Sequence, residues 1–105
     1  MRRGEVWWAD LAPPAGRRPV VLVSRDDAYR YRDFIMIAPV SRRIRGISPE
    51  VLLGPVEGLP KPCAANLDSL QTVSKSVLME RIVNLPAAKV EEIDEALRYS
   101  LGLRD

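Results

Sequence analysis

Two short stretches carry the side chains best suited to chemistry on an anion. "RRPVVLVS" sets Arg17 and Arg18 directly ahead of a proline and an apolar run, and "IMIAPVSRR" closes a second apolar run on Ser41, Arg42 and Arg43. A guanidinium is a permanent cation whose planar fork matches phosphate oxygens, and a hydroxyl beside it can both donate and accept. A hydroxyl flanked by arginines can therefore hold a phosphodiester and offset the charge that builds during transfer. The same arginines also read as solvated punctuation at strand ends, and spacing alone leaves both readings open.

Composition narrows the chemistry further. The 105 residues include no histidine and one cysteine. Ser-His-Asp triads, Cys-His pairs, two-histidine nucleases and most zinc sites are thereby excluded, leaving Arg, Lys, Asp, Glu, Ser, Thr and Tyr for any catalysis. A lone Cys63 forms no internal disulfide, which makes a cytoplasmic location the default expectation. Neither a signal peptide nor an apolar run of membrane-spanning length is expected. The net charge of +2 conceals an asymmetry: ten of the thirteen arginines fall in residues 1–45, which carry +5, while residues 46–105 carry −3. Arginine-favouring codon usage explains that bias as well as anion binding does.

Other groups compete for a role. "YRYR" (29–32) interleaves aromatics with cations, so Tyr29 and Arg30 suit single-stranded nucleic acid through stacking and phosphate contact. Trp7 and Trp8 must point to opposite faces of a strand; one is free to stack on a base, although a structural role fits better. Cys63 reads as inert packing, Asp26 and Asp27 as solvated acids, and Ser74-Lys75-Ser76 lacks the spacing of an acyl-transfer nucleophile.

The elements that must position these groups follow from apolar pattern and punctuation. Strands are expected over 4–11, 19–24, 34–41 (with Pro39 implying an edge or a bulge), 50–54, 63–73 around a tight turn at Asp68, and 76–85. On the last, Met79, Arg81 and Val83 are expected to share one face. Residues 25–33 read as a polar loop with a possible helical turn, and 42–50 as a basic loop. From Pro86 the period changes: Val90, Ile93, Leu97 and Leu101 recur at helical spacing up to Gly102. The outcome is one domain over 1–105, a small antiparallel sheet or barrel carrying a C-terminal helix. If the strands at 19–24 and 34–41 pair antiparallel, Arg17, Arg18, Ser41, Arg42 and Arg43 gather at one sheet end.

In this order and spacing, "RRGEVWWADL", "RRPVVLVS", "IMIAPVS", "LDSLQTV" and "VEEIDEALRYSLGL" resemble the MazF/PemK family of toxin endoribonucleases, from about Arg3 to Leu103. The resemblance implies an SH3-like barrel with a C-terminal helix and a homodimer. It also implies metal-free cutting of single-stranded RNA at short sequences, with no cofactor. A cognate antitoxin with an acidic, disordered tail is the implied protein partner. By position, Arg18 matches the family's catalytic arginine and Ser41 its hydroxyl partner, with Arg17 as neighbouring charge.

Two departures stand out. Only "APPAG" separates Leu11 from Arg17, where the family usually has a longer loop helping to cover the RNA site. Gln71 replaces a familiar arginine, and Arg42, Arg43 and Arg45 are expected to compensate. Two rivals remain beside the endoribonuclease: a protein-binding toxin on the same barrel, like the gyrase poisons, and a catalytically silent RNA-binding module.

Overall fold

The computed structural model describes residues 1–103. Seven strands, β1 (Glu5–Asp10), β2 (Arg17–Leu22), β3 (Phe34–Ser41), β4 (Glu50–Leu53), β5 (Cys63–Asn66), β6 (Gln71–Ser74) and β7 (Leu78–Asn84), precede one long helix. They form a curled antiparallel sheet in the order β4-β5-β3-β2-β1-β7, with β6 also paired to β3. The fold is thus mainly β, a half-barrel closed by α2 (Ala87–Leu101), with a single turn of helix, α1 (Ala28–Tyr31), between β2 and β3.

The apolar runs of β2 and of the second half of β3 follow from burial on both faces, while Phe34 and Met36 at the start of β3 are exposed. Val20, Leu22, Ile35 and Ile37 join one apolar core with Ala9, Leu11 and Tyr29. Their neighbours Val21, Val23, Ala38 and Val40 join the other, with Leu53, Leu67 and Ile93 of α2. Alternate side chains thus serve two cores from Val20 to Val23 and from Ile37 to Val40.

Pro39 lies in a central strand, not on an edge. The first half of β3 pairs with β6 through Phe34–Ile37, and its end pairs with β5 at Val40 and Ser41. Pro39 occupies the gap where β3 changes partner, so its missing N–H costs no ladder bond on that side. Against β2 it stands opposite Val20.

β7 departs from simple alternation. Its register with β1 shifts between Val6 and Trp7 and again between Trp8 and Ala9. Each bulge turns the following side chains over. Met79 and Arg81 are therefore exposed while Val83 and its neighbour Ile82 both pack on the core.

In α2, Ile93 and Ala96 are buried and Val90 and Leu97 half-buried, but Leu101 is 56% exposed. At 3.6 residues per turn the stripe through 93 and 96–97 arrives at Ser100, whose hydroxyl donates to the Leu67 carbonyl at 2.9 Å. Leu101 falls one position beyond it. Pro86 caps the start of the helix and Gly102 (φ 68°) ends it. The helix approaches β1 closely at Gly4, where a Cβ would lie 2.9 Å from Val90 Cγ2.

Candidate RNA-binding cleft

Arg17 and Arg18 lie inside β2, not ahead of it, because they pair with Asp10 and Ala9 of β1. On the other side of β2, Val20, Val21 and Leu22 face Pro39, Ala38 and Ile37. Continuing that register by two residues sets Arg18 opposite Ser41. The ladder ends at Val20 and Pro39, short of them, where Pro19 has no N–H to donate toward β3. Beyond that point Arg18 and Ser41 line a common cleft.

The cleft has two lobes. The larger, about 490 Å³, is lined by Trp8, Arg17, Arg18, Ser41, Arg42, Arg43, Lys61 and the edge of Cys63. The smaller, about 190 Å³, is lined by Arg18, Ser41, Arg43, Arg45, Glu50, Asn66 and Ser69. Arg18, Ser41 and Arg43 belong to both. The register explains the second lobe: Ser41 stands opposite Ala64, and Asn66, two residues along the same face, stands opposite Glu50. Ala64, nearly fully buried, gives that lobe a low floor.

Arg18 is the electrostatic centre. Its Nε is buried and, among the described residues, is the one such side-chain nitrogen or oxygen without a hydrogen-bond partner. A buried donor of a permanent cation left unpaired is costly, and an unsatisfied group of this kind marks Arg18 as a functional candidate. Ser41 Oγ accepts the Arg43 N–H at 3.1 Å, which ties the arginine loop to the end of β3 and leaves the hydroxyl proton free to donate outward. The Arg17 guanidinium stacks over Trp8, 5.2 Å from the ring centroid. Of the tryptophan pair, Trp8 thus faces the cleft, while Trp7 donates its indole N–H to Glu5 at 3.0 Å.

Two sequence candidates lie elsewhere. Tyr29 is only 8% exposed and donates its hydroxyl to the Ser24 carbonyl at 3.0 Å. Burial pushes its phenol well up. With Arg30 it borders a separate hollow beside Met1, Arg2 and Asp26, so the structure does not bring either to the cleft. The aromatic of "YRYR" that does reach the surface is Tyr31, 73% exposed, with Arg30 over its ring. Cys63 is buried and its thiol is pushed up by burial and then by Glu57, consistent with packing. Asp26 accepts the Arg3 N–H and Asp27 pairs with Arg25.

Sequence reasoning missed Lys61, Glu50, Asn66 and Ser69. Lys61 alone had a signal, a lone cation in "GLPKP". The short loop after β1 is closed by the Leu11 N–H on the Gly16 carbonyl at 3.0 Å, and residues 12–16 line neither lobe. Gln71 is exposed on β6 and lines neither lobe as well.

Known proteins share this architecture. The chain is 41% identical over 100 residues to probable endoribonuclease MazF5 of Mycobacterium tuberculosis, covering 94% of this chain and 91% of that one. It is 35% identical over 115 residues to endoribonuclease MazF9 of the same organism, covering 98% of each. A solved mycobacterial endoribonuclease in complex with its cognate antitoxin superposes with a TM-score of 0.89 at 27% identity, over 100% of this chain and 98% of that one. Among the described residues no helix is long and apolar enough to cross a membrane. Residues 2–101 match the family described as PemK-like, MazF-like toxin of type II toxin–antitoxin systems, and the chain belongs to that family.

Proposed function

We propose that this toxin is a sequence-specific endoribonuclease that cuts single-stranded RNA by transesterification, with Arg18 and Ser41 at the reacting phosphate. The observation that carries the reading is the buried, unpartnered Arg18 Nε beside Ser41 in a cleft lined by Arg17, Arg42, Arg43, Arg45 and Lys61. The relatives' designation as endoribonucleases supports it.

The RNA 2′-OH attacks the adjacent phosphorus: the O2′–P bond forms as the P–O5′ bond breaks. The proton shed by the 2′ oxygen is balanced by the one gained at O5′, giving a 2′,3′-cyclic phosphate and a 5′-OH. Arg18 supplies positive charge where the phosphorane oxygens become more negative, in a site whose donors are already in place. A guanidinium stays protonated, so Arg18 is not the base. Ser41 donates its hydroxyl to a phosphate oxygen and orients the diester. Arg17, Arg42, Arg43 and Arg45 hold flanking phosphates, and Trp8 offers a stacking face. We assign the reaction no metal: fixed guanidinium charge takes the part a cation would.

A cognate antitoxin with an acidic, disordered tail suits the same cleft on charge, and a homodimer is the assembly we expect, to be read by light scattering at micromolar concentration. The test of the chemistry is end analysis of cut RNA. New 5′ ends should accept phosphate from a kinase without prior phosphatase, and 3′ ends should resist until the cyclic phosphate is opened. Ends bearing 5′-phosphate would refute the mechanism. Toxicity unchanged by Arg18→Ala would move the weight to a protein-binding toxin.

A further inference from the structure

We propose, resting on the RNA-cutting reading for the class of ligand, that the smaller lobe is a base-reading subsite in which Asn66 selects a keto base, uracil or guanine, beside the cleaved phosphate. The lobe shares Arg18, Ser41 and Arg43 with the main cleft. A phosphate held at those groups therefore leaves one neighbouring base in or against the smaller lobe, where 190 Å³ suits one ring rather than a stack.

The polarity of that lobe is set by hydrogen bonds already made inside the protein. The Asp68 N–H donates to Asn66 Oδ1 at 2.9 Å. A backbone donor requires an acceptor, so this contact fixes the amide: its carbonyl oxygen is committed to the turn, and Nδ2 keeps two N–H groups with no partner among the described residues. Glu50, the one carboxylate in the lobe, is used mainly at one oxygen. Its Oε1 accepts from the Gly46 N–H at 2.9 Å and the Arg45 N–H at 3.0 Å, and its Oε2 accepts from Arg45 at 3.3 Å. What remains to meet a ligand is mainly donors: Asn66 Nδ2 and the guanidinium groups of Arg43 and Arg45, beside a Ser69 hydroxyl that works either way and the less used Glu50 Oε2.

A base edge entering a donor-lined hollow must present acceptors. On the Hoogsteen edge, uracil offers O4 and guanine offers O6 and N7, whereas cytosine and adenine place an amino group there that would face other donors. Sites built to pair a particular polar group reject analogues that leave it unpaired. Asn66 is thereby a specificity-determining residue, and Glu50 a positioning residue that holds the Arg45 loop against the lobe.

Asn66→Asp tests this with little disturbance, because a carboxylate still accepts the Asp68 N–H while the two donors become an acceptor. Purified wild type and variant are given a random single-stranded RNA library, and all new ends are sequenced. In parallel, bound molecules are selected from random 2′-fluoro RNA, which lacks the attacking hydroxyl. We expect a keto preference at one position next to the cut in the wild type, reversed toward cytosine or adenine by about tenfold in Asn66→Asp, with other positions unchanged. Asn66→Ser, which keeps a turn-forming oxygen and loses the amide donors, should flatten that position without reversing it; thermal melting checks that both variants fold. Unchanged base preference in both variants overturns the proposal, as does a preference altered at every position. If the wild type cuts nothing yet binds 2′-fluoro RNA with a keto preference that Asn66→Asp reverses, the subsite stands and the cutting reading falls. Binding without any base preference removes the subsite whether or not RNA is cut.

Discussion

Glu5 and Arg18 sit at opposite ends of the β1–β2 pair, and each takes charged-group atoms out of water. Glu5 is 2% exposed and fully served: the Arg2 N–H and the Trp7 indole donate to Oε1 at 2.9 and 3.0 Å, and Arg81 reaches Oε2 at 3.2 Å. Burial alone would raise its pKa, but these donors and the nearby N-terminal charge outweigh it and hold the carboxyl below its ordinary value. At the other end, Arg18 Nε has no partner among the described residues. The same ladder thus ends once in a closed network and once in an open one. A closed buried charge fixes the fold; an unpartnered one marks a candidate site.

Substitutions should separate the two ends. The largest effect is expected from Arg18→Ala, which should lower the RNA cutting rate by about 100-fold or more while leaving stability within about 1 kcal/mol. A melting curve beside the cleavage assay checks both halves, and a collapsed fold would erase the contrast. Glu5→Ala should do the opposite, costing about 3 kcal/mol in a denaturant titration because three donors lose their acceptor, with cutting per folded molecule retained. The same carboxylate predicts acid sensitivity. Because its folded pKa is lowered, its contribution is complete above the ordinary value of 4.5 and fades as pH falls through the folded value. Wild type should therefore lose stability toward Glu5→Gln below that pH, as read by melting at stepped pH.

Smaller effects sharpen the open end. Ser41→Ala should slow cutting by about tenfold, the scale of one hydrogen bond to a charged group, with binding nearly kept. Arg17→Ala should weaken RNA binding a few-fold and flatten its salt dependence by roughly one phosphate contact, measured by titration at several ionic strengths. A cutting rate insensitive to Ser41 would assign the whole phosphate site to the arginines.

How far the sequence carried the reading depended on whether a signal was local. The apolar runs of β2 and β3, the basic loop after Ser41 and the helix from Pro86 to Gly102 are legible because burial, charge and capping act on neighbouring residues. The approach of Arg18 to Ser41 followed from one assumption, antiparallel pairing. Asn66 and Glu50 escaped notice because they come to the cleft through the β4–β5 register, which nothing nearby announces. Tyr29 misled for a related reason: in one turn of helix, the choice of which aromatic turns inward is made by the core and by the Ser24 carbonyl. Pro39 misled because a proline in a central strand is tolerable only where that strand changes partner.

The central claim is that an arginine left open in a basic cleft performs the chemistry. Its most direct test is incubation of the purified protein with long single-stranded RNA in excess EDTA, beside Arg18→Ala, with every new end sequenced. The account predicts cutting at a recurrent short motif, absent in the variant. Correctly folded protein that cuts no RNA under these conditions, or a variant that cuts as well as the wild type, would contradict it.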